Sequence, residues 1–132
     1  MPHFQVRAHE EKLDGKAEGQ LVRSLTEALV QVYGERARSM AVVEIFGIPQ
    51  HRWGVGGVPG VVHAPVVSLH VREAALHLPG IDDAPGQLIR AITDAVAGAF
   101  GESVRDHVGV QLVGVPAGRS GVGGEVDPPV PA

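Results

Sequence analysis

The sequence predicts an α/β (α+β) fold in which two tandem β-α-β units share a four-stranded sheet, with two helices on one face. Three observations carry that reading: an internal repeat, two apolar stretches at helical spacing, and β-rich runs flanking each of them. The repeat is the strongest. Gln20–Gly57 aligns without a gap on Gln87–Gly124 at a constant offset of 67, with 16 of 38 positions identical. Most other positions are conservative exchanges such as Val22/Ile89, Leu25/Ile92, Glu27/Asp94 and Tyr33/Phe100. Upstream the offset falls to 63 and pairs Pro2 with Pro65, so the second copy holds four extra residues in the Leu76–Gly86 loop.

Each element follows from its own pattern. From His3 to His9, apolar Phe4, Val6 and Ala8 alternate with His3, Gln5, Arg7 and His9, the signature of a strand with one buried face. Leu21, Leu25, Ala28, Leu29 and Val32 recur at helical spacing up to Gly34, a natural stop. Leu88, Ile92, Ala95, Val96 and Ala99 repeat the helix up to Gly101. Met40–Ile48 and Val108–Val115 are β-rich and close each unit, so each is a right-handed crossover between parallel strands. Gly-Val-Gly-Gly at 54–57 and 121–124 marks a hairpin turning through positive φ; without a lysine-serine ending or a following helix it is no phosphate loop. The expected organisation is a first unit at 1–57, a linker at 58–64, a second unit at 65–124 and a disordered tail at 125–132.

A two-stranded unit cannot cover its own sheet, so the two units are expected to join edge to edge. The sheet face away from the helices is too apolar for water, which predicts several chains packed face inward around a symmetry axis.

Composition narrows the function. With 132 residues the chain has room for one domain. Eleven Lys plus Arg against 15 Asp plus Glu, with no block of like charge, argue against a nucleic-acid or membrane-surface partner. No cysteine is present, which excludes disulfides, thiolate catalysis and zinc-thiolate sites. The seven histidines show no ligand spacing, so neither a metal nor another cofactor is expected. The first residues lack a signal peptide's apolar core, and a cytoplasmic location follows by default.

The two prolines differ chemically. Loss of Met1 would leave Pro2 as a free secondary amine, whereas the Pro65 nitrogen is an amide to Ala64 with neither proton nor usable lone pair. A chain-terminal amine titrates at about 7.7–8.0, and an apolar wall lowers that value, so Pro2 becomes a candidate base at neutral pH. The competing reading is that Pro2 merely opens a strand.

A proline directly after Met1, a β-α-β unit of this length and the terminal Trp-Gly-Val-Gly-Gly of 53–57 resemble the 4-oxalocrotonate tautomerase branch of the tautomerase superfamily. The tandem copy resembles its fused members, and the resemblance covers Met1–Gly57 and Pro65–Gly124. It implies a tautomerase-like fold and a homotrimer of fused chains, a pseudo-hexamer of units whose sites are shared between neighbouring subunits. It also implies an isomerase in which Pro2 is the catalytic base for keto–enol proton transfer on a small carbonyl acid or enol. Trp53 falls at the place of an aromatic residue lining the pocket, and Lys12 at that of an arginine binding the substrate carboxylate. The second family arginine falls on Val42, and on Gly109 in the second copy. Arg7, Arg38, Arg72 or Arg105 would then have to supply that charge from another strand or subunit, and Lys12, Arg7 or backbone N–H groups would steady the enolate. Glu44, on the Val42 side of its strand, keeps hydration or dehalogenation of an unsaturated acid open, alongside decarboxylation, a biosynthetic rearrangement, or a non-catalytic oligomeric module.

Overall fold

A computed structural model describes residues 1–130. The chain runs β1 (His3–His9), α1 (Lys16–Tyr33), β2 (Val42–Ile48), a hairpin of β3 (Gly54–Val55) and β4 (Val58–Pro59), then β5 (Val66–Arg72), α2 (Ala84–Phe100), β6 (Gly109–Val115) and a second hairpin of β7 (Gly121–Val122) and β8 (Glu125–Val126). The main sheet has the order β2-β1-β5-β6. Within each unit the strands are parallel, β1 to β2 and β5 to β6, and the units meet at an antiparallel seam between β1 and β5. The predicted pair of crossovers joined edge to edge is therefore the observed fold.

One parity of each strand faces the helices. Phe4, Val6, Val67 and Leu69 pack with Leu21, Leu25 and Leu29 of α1 and with Leu88, Ile92 and Val96 of α2, all of them fully excluded from water. This core holds the two units together as one body, since it draws on both helices and on both strands of the seam.

The helix ends have local causes. The Asp14 carboxylate accepts from the N–H groups of Lys16 at 3.0 Å and Ala17 at 2.9 Å, which fixes the start of α1. Those same donors hold its carboxyl below the usual carboxylate range. At the other end Gly34 and Gly101 take φ of +90° and +102° and donate back to Val30 and Ala97 at 2.8 Å. That backbone conformation is almost exclusive to glycine.

Three boundaries differ from the sequence expectation. Met40 and Ala41 do not belong to β2: residues Glu35–Met40 form a 3₁₀ segment, because Arg38 pairs with Glu27 on α1 and with Glu35 and keeps the chain at the helix end. The second copy repeats this with Arg105, Asp94 and Glu102. Val58–Pro59, read as linker, is the return strand of the first hairpin, whose two-residue turn Gly56-Gly57 has φ of +59° and +81°. Glu125–Val126, read as the start of a disordered tail, pairs likewise with Gly121–Val122. The tail's last two positions, 131 and 132, lie outside the described residues.

Candidate active site

The seam sets the geometry. Its register pairs His3 with His70 and Arg7 with Val66, so the start of each unit lies beside the end of the other unit's first strand. Continued one pair at each end, this register sets Pro2 opposite Val71 and Pro65 opposite Ala8. Each proline also anchors its own unit: the Pro2 carbonyl accepts from Val42 N–H at 3.1 Å, and the Pro65 carbonyl from Gly109 N–H at 3.2 Å.

Pro2 and Met1 stand at a cavity of about 450 Å³ built from both units. The first unit supplies Tyr33, Arg36 and Met40 from the end of α1 and the segment after it. The second supplies Arg72 and an apolar wall that includes Val71 and Ile81. Among the described residues no carboxylate side chain lines it. Tyr33 Oη donates to the Ala75 carbonyl at 2.9 Å and ties the two halves of the wall together, and burial pushes its phenol above the ordinary tyrosine value. Arg72 donates to the Pro128 carbonyl, which brings the C-terminal segment, with Val130, over the cavity.

Arg36 escaped the sequence reading, since it sits in a short segment without periodicity. Its signal was the copy comparison: the aligned residue is Ser103, so the charge occurs only in the copy whose proline can be freed. The ion pairs among the described residues engage His3, Arg38, His77 and Arg105 with acidic partners, and Arg36 is in none of them.

The other residues singled out by the sequence lie elsewhere in the chain. Lys12 lines a cavity at Pro65, and the position that corresponds to it at the Pro2 cavity is Ala75. Trp53 is sandwiched between His9 and His63, with ring centroids 4.7 Å and 5.3 Å away, beyond the end of β1 opposite Pro2. His9 is buried and its Nε2 accepts from His63 N–H at 2.9 Å, which leaves the proton on Nδ1, where no acceptor is found. Arg7 reaches Ser68 Oγ at 3.4 Å and Gln5 Oε1 at 3.3 Å along the open sheet face. Glu44 pairs with His3, and Val42 lies exposed on that same face. Arg38 and Arg105 are spent in their surface ion pairs, which raise both guanidinium values. Within one chain, then, only Arg72 of the anticipated cations reaches the Pro2 cavity.

A four-stranded sheet of two fused β-α-β units, with a proline opening each, defines the tautomerase-like fold in its fused form. Solved structures agree at the level of that fold. A wild-type fused 4-OT described as an asymmetric trimer superposes with a TM-score of 0.78 at 21% identity over 95% of both chains. A member of the cis-3-chloroacrylic acid dehalogenase family gives 0.76 at 17% identity over 96% of this chain and 84% of the other. A protein described as Pt0534 inactivated by 2-oxo-3-pentynoate gives 0.76 at 18% identity over 94% of both. No protein-family model and no curated protein matches the sequence.

Proposed function

We propose that this protein is a tautomerase or isomerase that uses Pro2, freed by removal of Met1, as the base for keto–enol proton transfer on a small carbonyl acid or enol. The observation that carries the reading is the cavity itself: Pro2 stands with two guanidinium side chains, Arg36 and Arg72, an apolar wall and, among the described residues, no Asp or Glu side chain. Such surroundings hold an anionic substrate and oppose protonation of an amine. The secondary amine takes a proton from the carbon next to the carbonyl and returns one further along the conjugated chain. Arg36 holds the carboxylate or the enolate oxygen, where its charge counts most as negative charge builds up. The working form in this proposal is a homotrimer, the assembly size given for solved fused 4-OT structures, and in it the open sheet faces turn inward. Lys12, Arg7 and Trp53 would then act at Pro2 only from a neighbouring subunit.

A second reading has its own support. Glu44 is held by His3, the residue after Pro2, on the open sheet face outside its own chain's cavity, so it would activate water at a Pro2 site only across the interface with a neighbouring subunit. Pro2-dependent hydration or dehalogenation of an unsaturated acid would use it. Decarboxylation, a biosynthetic rearrangement and a non-catalytic oligomeric role are the remaining alternatives.

The test is ketonisation of phenylenolpyruvate and of 2-hydroxymuconate by protein whose intact mass shows Met1 removed. Pro2→Ala is expected to lower kcat/KM by roughly 10²- to 10⁴-fold. Equal rates for the two proteins, or a Met1 that is retained, would end the proposal. Loss of hydration but not ketonisation in Glu44→Gln would favour the second reading.

A further inference from the structure

The four extra residues of the second unit fall in the chain between β5 and α2 and have no counterpart between β1 and α1. Their place in the structure gives them a use. The turn Leu78-Pro79-Gly80-Ile81 is closed by the Ile81 N–H, which donates to the Leu78 carbonyl at 3.1 Å, with proline where its fixed φ suits such a turn. Both ends of the turn, Leu78 and Ile81, line the Pro2 cavity together with Gly80 and Ala75. The matching segment of the first unit supplies only Lys12 to the cavity of about 540 Å³ at Pro65. This stretch of apolar wall at Pro2 therefore comes with the insertion and is not part of the repeated unit.

The wall is anchored on both sides. Before the turn, the Ala75 carbonyl accepts from Tyr33 Oη at 2.9 Å. After it, Ile81 packs against the core, and the Asp83 carboxylate accepts from Gly86 N–H at 3.1 Å at the start of α2. Only one of the two guanidinium groups is open, since Arg72 donates to the Pro128 carbonyl, whereas Arg36 is in none of the ion pairs of the described residues. One open guanidinium beside an apolar wall suits one carboxylate. A second carboxylate would leave water against Leu78 and Ile81 without a partner, which is costly.

We propose that the turn Leu78–Ile81 is the specificity element of the Pro2 site and selects a monocarboxylate with an apolar body over a dicarboxylate. Arg36 binds the carboxylate, and Leu78 and Ile81 cover the body. This selection rests on the Pro2 site proposed above, but it is read by binding as well as by turnover.

In the full chain, kcat/KM for ketonisation of phenylenolpyruvate, an aryl monocarboxylate, is compared with that for 2-hydroxymuconate, a dicarboxylate. Calorimetry compares 3-phenylpropanoate with glutarate, neither of which has an enol to react. The parent protein is expected to favour the aryl acid in both pairs. Leu78→Asn is expected to lower the aryl-to-dicarboxylate ratio roughly five- to fiftyfold, in turnover chiefly through KM, and Leu78→Met to keep most of it. A merely structural role would lower the values for both acids together and leave the ratio where it was. Should Leu78→Asn fail to fold, Ile81→Ala tests the other end of the turn and is expected to act in the same direction. Arg36→Met is expected to weaken 3-phenylpropanoate binding, and His107→Gln, at the Pro65 cavity, to leave it unchanged. A parent that favours the dicarboxylate, a ratio indifferent to both Leu78 and Ile81, or binding that follows His107 instead of Arg36 would overturn the proposal. Selective binding that Leu78→Asn removes, in a protein without ketonisation, would uphold the selection and end only the assignment of Pro2 as base.

Discussion

Arg36 and Arg38 are two residues apart and do unlike things. Arg38 bridges Glu35 and Glu27 on the exposed side of α1, while Arg36 lines the Pro2 cavity. On the proposed chemistry, Arg36→Met lowers kcat/KM for an anionic substrate by roughly 10- to 100-fold, the worth of a charge-assisted hydrogen bond. Arg38→Met leaves steady-state rates near the parent's. Tyr33 gives a second check, because it is the chain's one tyrosine and an absorbance titration reads it without overlap. Burial raises its value in the folded state, so it should ionise above pH 10. The linkage follows from that direction: the stabilisation is complete below the unfolded-state value near 10 and disappears as pH rises through the folded one. Tyr33→Phe should flatten this alkaline loss in thermal melts taken across that range. The sequence singles out Pro2 because its place directly after Met1 is itself a chemical statement, and in the structure it lines a cavity. Arg36 was not legible there, since a side chain in an aperiodic segment acquires its meaning only from what the fold sets opposite it.

At the level of elements, helix periodicity and the two glycine stops carried almost everything. Gly34 has open space around it, so a methyl group there meets no neighbour and the whole cost is in the backbone. Gly34→Ala should therefore lose about 1–3 kcal/mol in chemical denaturation, with no change in the sheet's circular dichroism. Leu25→Ala, by contrast, opens a void in the shared core and should cost about 2–5 kcal/mol. The C-terminal segment is a third case. Pro128 occupies Arg72 through its carbonyl and Val130 narrows the Pro2 cavity, so truncation after Asp127 should lower KM for an anionic substrate while the β7–β8 hairpin keeps its melting temperature. A Pro-Pro-Val sequence reads as unstructured by composition; contact with a guanidinium from a distant strand is invisible to it. The 3₁₀ segment after α1 was missed for a related reason, because ion pairs across a turn outweigh the β character of Met40 and Ala41.

For the molecule as a whole, the repeat made the sheet order legible but not the register of its seam. No short turn joins β1 to β5, so nothing local in the sequence specifies which residues face each other. That register is what sends Lys12 to Pro65 and Arg72 to Pro2. The open sheet face leaves Val42, Phe46 and Val113 between 38% and 43% exposed. If those faces meet in the proposed homotrimer, Phe46→Glu should convert it to monomers in light scattering, with the core and its secondary structure retained. The seam has one more consequence. Because β1 and β5 are held by ladder hydrogen bonds and a shared core rather than by the connection at 61–64, halves produced as separate polypeptides from a gene cut there should reassemble, which co-purification of one tagged half with the other checks. If the downstream half is made to start with methionine ahead of Pro65, processing would uncover a second imino terminus, and the cavity there would face Lys12 with a proton acceptor of its own.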